Sequence, residues 1–280
     1  MNRGNALREG REKLCQAGFD EASLEAELLL RHVLKLSRAG LYSSFDESVS
    51  PGDFNCYLEL LSRRLTHEPL AYITGNREFY GLDFYVDSSV LIPRPETEML
   101  VEEAIRIGLQ LDSPLICDVG TGSGAIAVSV ARNIPEAKIY AVDINQNCIE
   151  IARKNALYHG VERQITFIHG DLLSSLPQRV DIVVANLPYV KHGDVESVAG
   201  EPLVALDGGA SGLDVIERMI GQMRYHLNNG GSCLLEIGEG QHTEIVGMIR
   251  KQLPAATIKT TRDFNGIERM VTVTLPLVNP

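Results

Sequence analysis

Two short stretches of this sequence hold residue types that could do chemistry at one place. The first is Asp118-Val119-Gly120-Thr121-Gly122-Ser123-Gly124-Ala125, between an apolar run and a helical pattern. Glycines there let the backbone turn tightly and approach a ligand closely. Asp143 closes the next apolar run. About 20 residues past such a loop, a carboxylate can accept both hydroxyls of a ribose. The second stretch is Asn186-Leu187-Pro188-Tyr189. The Asn186 side-chain oxygen could accept one N–H of a planar NH2 group and the Leu187 carbonyl the other. The Tyr189 ring could pack against the flat group. Asp171 and Leu172 follow a further apolar run and could flank a purine, Asp171 accepting from its exocyclic amine.

Two ligands suit the glycine loop. Gly120-x-Gly122-x-x-Ala125 satisfies a dinucleotide fingerprint. The same residues satisfy the acidic residue-x-Gly-x-Gly-x-Gly loop that binds S-adenosylmethionine, with Asp118 as the acid. S-adenosylmethionine carries an ammonium and a sulfonium and no phosphate, so an acid beside the loop favours it; a pyrophosphate would be repelled. Each feature also has an ordinary structural explanation. Glycine turns and strand-end Asp residues serve packing, Asp171 could cap a turn, and Asn, Pro and Tyr are common where strands end.

The elements that must position these residues follow from the pattern of the whole chain. It has 280 residues, 44% apolar and 22% charged, with a net charge of −11. That is average globular usage and excludes a disordered or low-complexity protein. An acidic chain argues against a broad nucleic-acid footprint, which needs a basic stripe. Five Cys form no CxxC pair, so no disulfide framework or cysteine zinc site is expected. Seven His lack HxxxH and HExxH spacing, and no metal is expected. The apolar runs are shorter than the roughly 20 residues of a membrane span. Residues 1–20 carry interspersed charges rather than a signal core, so a cytoplasmic protein without membrane contact is expected.

Residues 1–70 read as a small helical domain. Leu24, Leu28, Leu29, Leu30 and Leu34 recur at helical spacing behind Glu21, Glu25 and Glu27, and Pro51 opens a second helix. Residues 71–90, rich in Tyr, Phe, Ile and Val around Gly75-Asn76 and Gly81, read as a β-hairpin linker. Residues 91–280 form the third part. Ile92-Pro93-Arg94-Pro95-Glu96-Thr97-Glu98 leads into a helix and could close over a bound cofactor, with Arg94 or Glu96 taking part. Strands are expected over 114–120, 137–144, 164–171, 180–188 and 231–238. Helices 123–132, 145–159, 213–227 and 240–252 alternate with them, which gives a parallel, doubly wound α/β sheet. Two last strands, 255–261 and 268–275, flank a turn too short for a crossover, so the final strand should run antiparallel.

Asn186-Leu187-Pro188-Tyr189 resembles the Asn-Pro-Pro-Tyr signature of methyltransferases that modify amide or exocyclic amino nitrogens, with Leu187 in place of the first Pro. Glu68-Pro-Leu-Ala-Tyr-Ile-Thr-Gly75, Leu91-Ile-Pro-Arg-Pro-Glu-Thr-Glu98, Glu201-Pro-Leu-Val-Ala-Leu-Asp-Gly-Gly209 and Gly266-Ile-Glu-Arg269 narrow the resemblance to the release factor glutamine methyltransferases (the PrmC/HemK family), over about residues 20–275. The resemblance implies a seven-stranded class I methyltransferase domain behind a helical substrate-recognition domain. It implies methylation of the Gln in the Gly-Gly-Gln loop of class-1 peptide chain release factors, in support of translation termination. Gly120, Thr121, Gly122, Ser123, Gly124, Asp143, Leu172 and Asn186 would bind S-adenosyl-L-methionine, and Asp171 joins them by its position after the third strand. Asn186, Leu187, Pro188 and Tyr189 would hold the Gln and carry the catalysis. A DNA or RNA adenine methyltransferase needs the same Asn-x-Pro-aromatic, although the charge of −11 and the lack of Arg/Lys clusters oppose it. An NAD-binding oxidoreductase and a non-catalytic binding module remain the other readings.

Overall fold

The computed structural model describes residues 1–197 and 200–277. The chain divides into two compact units, Met1–Gly75 and Asn76–Pro280.

The first unit is helical: α1 (Arg3–Gln16), α2 (Ala22–Leu34), α3 (Arg38–Tyr42), α4 (Pro51–Leu65) and α5 (Leu70–Thr74). Pro51 stands in the first turn of α4, and the Ser50 hydroxyl accepts the Asp53 N–H as its cap. Leu14, Leu29, Leu30, Leu41, Tyr57 and Leu61 form the core. Glu25 and Glu27 are more than first-turn acids. Both are buried, Glu25 in a two-pronged pair with Arg64 and Glu27 between Arg31 and Arg38. The hairpin expected over 71–90 is shorter than that span. Leu70–Thr74 is helical, ended by Gly75 in the left-handed region. The hairpin is confined to β1 (Asn76–Phe79) and β2 (Leu82–Tyr85), joined through Tyr80 and Gly81, both at positive φ. Phe79 and Phe84 lie in the core of the second unit, so the hairpin is part of that unit rather than a linker.

The rest of the second unit runs α6 (Glu98–Gly108), β3 (Leu115–Val119), α7 (Ala125–Asn133), β4 (Lys138–Asp143), α8 (Gln146–Tyr158), β5 (Ile165–His169) and β6 (Val180–Ala185). It continues with α9 (Leu203–Leu206), α10 (Asp214–His226), β7 (Leu227–Glu236), α11 (His242–Gln252), β8 (Thr257–Arg262) and β9 (Glu268–Thr274). The seven-stranded sheet has the order β5-β4-β3-β6-β7-β9-β8, and only β9 runs against the others. Alternation within the strands fills both faces. Cys117, Val119, Val183, Ala185, Cys233 and Leu235 face α10 and α11. Ile116, Ile182, Val184 and Leu234 face α6, α7 and the hairpin. The order reverses between β3 and β4 on one side and β6 on the other, which opens a crevice at their carboxyl ends. Among the described residues no helix is long and apolar enough to cross a membrane, and no cluster of three or more His, Cys, Asp or Glu could hold a metal.

Candidate active site

A cavity of about 420 Å³ opens at that crevice, and every residue lining it lies between Phe79 and Arg218. Its floor is the β3–α7 loop. Gly120, Gly122 and Gly124 all have positive φ. At Gly124 the requirement is double, because a Cβ there would stand 3.0 Å from the Cα and Cβ of Ala152 on α8. Gly124 therefore packs the loop onto α8 and does not line the cavity, whereas Gly120, Thr121, Gly122 and Ser123 do. Asn155 fastens the loop from behind. Its side-chain NH2 donates to the Ser123 and Tyr85 carbonyls, and its oxygen accepts the Tyr85 N–H.

The loop's polar groups are largely spent on the chain itself. The N–H groups of Gly120 and Thr121 both donate to the Val142 carbonyl, at 2.8 and 3.0 Å. Gly122 donates to Asp143 Oδ2 at 2.9 Å, and Asn145 donates to Asp143 Oδ1 at 2.8 Å. Both Asp143 oxygens thus accept from the chain, and the residue also lines the cavity. Burial raises the Asp143 carboxyl above its ordinary value, against the pull of the Asn145, Gly122 and Cys148 bonds. Asp118 departs from its expected place. It is 1% exposed and absent from the cavity wall. Its Oδ2 accepts the Thr121 hydroxyl at 2.6 Å and the Ala127 N–H at 3.1 Å, so it caps α7, while Oδ1 is buried without a partner. Burial pushes its carboxyl up to about 7.

Leu172 lines the cavity at φ +52°, a region that costs an L-residue roughly 1–2 kcal/mol. Such strain clusters at ligand sites. Asp171, beside it, is ion-paired with Arg218 of α10 at the cavity rim.

The opposite wall is the end of β6. Asn186, Leu187 and Pro188 line the cavity. Neither the Asn186 Oδ1 nor the Leu187 carbonyl accepts a hydrogen bond from any described residue. Leu187 is 3% exposed, and its side chain belongs to the core under the loop, where a Cβ on Gly120 would come 3.4 Å from its Cδ2. Tyr189 does not line the cavity. Its hydroxyl donates to Glu236 Oε1 at 3.3 Å, and burial first, then the Glu236 charge, pushes that phenol up to about 12.

The segment after β6 is held by residues 206–209. Val190 donates to the Leu206 carbonyl and Gly208 to that of Val190. A Cβ on Gly208 would fall 2.8 Å from the Pro188 carbonyl oxygen. Glu201 pairs with Arg94 and accepts the Ile92 N–H at 3.1 Å, tying the 91–98 stretch to this wall. Arg94 lines the cavity and Glu96 does not. Sequence reasoning missed Arg218, Thr97 and Glu236. Glu236 left a signal: like Asp143, it is a carboxylate at the carboxyl end of an apolar strand.

Residues 5–75 match the family described as PrmC N-terminal domain, and residues 97–208 match the methyltransferase small domain. A release factor glutamine methyltransferase of Geobacter sulfurreducens is 39% identical over 264 residues, covering 92% of this chain and 91% of that protein. One from Coxiella burnetii is 39% identical, covering 89% and 90%. One from Bacillus anthracis is 36% identical, covering 95% and 96%. A solved methyltransferase from Pyrococcus furiosus superposes with a TM-score of 0.53 at 16% identity, over 77% of this chain and 97% of that one. The ribosomal protein L11 methylase of Lactobacillus delbrueckii gives 0.51 at 20% identity, over 69% and 84%. These two structures share the fold.

Proposed function

The chain belongs to the release factor glutamine methyltransferase family, and from that premise we propose that it methylates the side-chain amide nitrogen of a Gln in a peptide chain release factor, with S-adenosylmethionine as donor. The resemblance narrows the target to the Gly-Gly-Gln loop of class-1 factors. The observation that carries the choice of cofactor is the use of the loop's own hydrogen bonds. The amides of residues 120, 121, 122 and 127 are taken by the Val142 carbonyl, Asp143 and Asp118. A dinucleotide site needs such amides free for pyrophosphate. Asp143, the carboxylate that lines the cavity beside the loop, suits a cationic ligand instead.

In this reading Asp143 accepts the ribose hydroxyls, Leu172 lies against the adenine and Gly120 to Ser123 bed the rest. The second oxygen of Asp171, the one not held by Arg218, accepts from the exocyclic amine. S-adenosylmethionine supplies an electrophilic methyl group when bound. The chain's residues must then present a poor nucleophile to it. An amide nitrogen has a delocalised lone pair, and the same resonance gives a rotation barrier of ~18–20 kcal/mol. Asn186 Oδ1 and the Leu187 carbonyl accept the two N–H groups, orient the nitrogen and favour positive charge building there. Holding near-attack alignment can supply roughly 7–11 kcal/mol. No general base is required in this scheme, because the surplus proton turns acidic once the nitrogen is alkylated. A Glu carboxylate would face two acceptors and no donor, so the pair selects against it. Pro188 restrains Leu187 to extended backbone and so aims its carbonyl. Tyr189 acts from behind the wall through Glu236. Residues 1–70, which carry none of the cavity, recognise the release factor.

Labelled methyl transfer to a release factor tests the reading, with a Gln→Ala factor as control. Label should enter the natural factor and not the control. Transfer to DNA or RNA instead would overturn it.

A further inference from the structure

Asn186 is the residue on which the proposed chemistry turns, and an amide side chain is ambiguous: rotated by half a turn, it presents NH2 where it had presented oxygen. Three segments far apart in sequence remove that ambiguity. The Asn186 Nδ2 donates to the Thr97 hydroxyl at 2.9 Å. The Thr97 hydroxyl donates in turn to Glu236 Oε2 at 2.7 Å. Thr97 closes the 3-10 turn Pro95–Thr97, and Glu236 ends β7 one step beyond the Ala185–Leu235 pair. Thr97 and Glu236 are 5% and 3% exposed, so both partners are shielded from bulk solvent.

The polarity of this chain follows from the inventory of donors. A hydroxyl has one proton. Glu236 in its ionised form only accepts, so the Thr97 proton goes to it and the Thr97 oxygen is left to accept. Only the NH2 end of Asn186 can satisfy it. The amide oxygen is thereby turned to the cavity. Tyr189 donates to the other Glu236 oxygen and holds the carboxylate in place. Glu236 forms no ion pair among the described residues, so its partners are hydroxyl donors. The buried Thr97–Glu236 end of this network is satisfied, and it specifies one arrangement.

We propose that Thr97, held by Glu236, is a positioning residue that fixes the Asn186 amide with its oxygen toward the substrate and thereby sets the preference for an amide over a carboxylate. This rests on the reading that Asn186 accepts a substrate N–H. Without the lock the amide can turn and offer NH2, which suits a Glu carboxylate as well as a Gln.

The test compares wild type, Thr97→Val, Thr97→Ser and Asn186→Ala. Each is measured for single-turnover methylation of a release factor, and for binding of that factor and of one whose target Gln is replaced by Glu. Thr97→Val keeps the shape and removes the hydroxyl. It should slow methylation and shrink the Gln-over-Glu binding preference by roughly ten-fold, the scale of one unpaired buried polar group. Thr97→Ser should restore both. A Thr97→Val protein with wild-type selectivity and rate, beside a crippled Asn186→Ala, would overturn the lock and leave the reading of Asn186 standing. A near-normal Asn186→Ala would overturn that reading and the lock with it. Should Thr97→Val fail to fold, the wild-type protein decides alone. Its Asn186 NH2 protons, observed by NMR with selective labelling, should exchange slowly with solvent, and fast exchange of both would overturn the proposal.

Discussion

Asp143, at the end of β4, accepts the Gly122 N–H through Oδ2 at 2.9 Å, 21 residues back in the loop after β3. The ribose carboxylate of the proposed site is thus also a strut of the glycine loop. Asp143→Ala removes both roles. It should weaken S-adenosylmethionine binding about 10- to 100-fold, the size of hydrogen bonds to a charged group. Calorimetry checks this, and unchanged affinity would take Asp143 out of the site. Gly124→Ala should weaken binding too, by forcing the loop off Ala152.

Asn186→Ala removes the proposed acceptor. By analogy with a lost oxyanion-hole donor, turnover should fall on the order of 10²–10³. Rapid-quench methylation at saturating cofactor measures it.

The departure at Leu187 separates backbone from side chain. Leu187→Pro keeps the carbonyl, so the methylation rate should stay close to that of wild type. The Leu187 side chain is packed in the core, and losing part of it should cost about 1–2 kcal/mol of stability. Pro188→Leu frees residue 187 and should damage the rate more than the stability. Single-turnover rates and denaturant melts on both variants decide it. An inactive wild type rescued by Leu187→Pro would contradict the carbonyl role.

Two buried carboxyls give the enzyme an unusual pH response. Burial raises Asp118 from 3.8 to about 7 and Glu236 from 4.5 to about 7. The folded state then holds these protons more tightly than the unfolded chain. Their stabilising contribution is complete below about pH 4 and is lost as pH rises to about 7. Asp118→Asn should therefore flatten the fall in melting temperature between pH 5 and 8. Activity should run the opposite way. Glu236 faces Thr97 and Tyr189, with Glu96 raising and Arg269 lowering its proton affinity. Only its ionised form orients Thr97, so the methylation rate should climb through about pH 7. Glu236→Gln should lose that inflection, and an unaltered pH profile would exclude Glu236 as its source.

A chain starting at Asn76 retains every residue that lines the cavity. It should bind S-adenosylmethionine but methylate the release factor poorly. Intact protein methylation would rule out partner recognition by the helical unit.

The sequence by itself determined the strand–helix alternation, the antiparallel last strand, the glycine loop with Asp143, and the Asn186 turn. These follow from periodicity, from the special backbone of glycine and proline, and from spacing within a few dozen residues. The tertiary structure alone decided what those residues face. Asp118 became a buried helix cap because β3 carries it under the loop. Tyr189 turned away from the cavity because β7 places Glu236 behind it. Residues 70–74 are helical despite their strand-like side chains, because packing in the first unit overrides propensity. The Asn186–Thr97–Glu236 chain spans separations of 89 and 139 residues. No local pattern encodes it. It exists because parallel strands bring their carboxyl ends to one edge, whatever the length of chain between them.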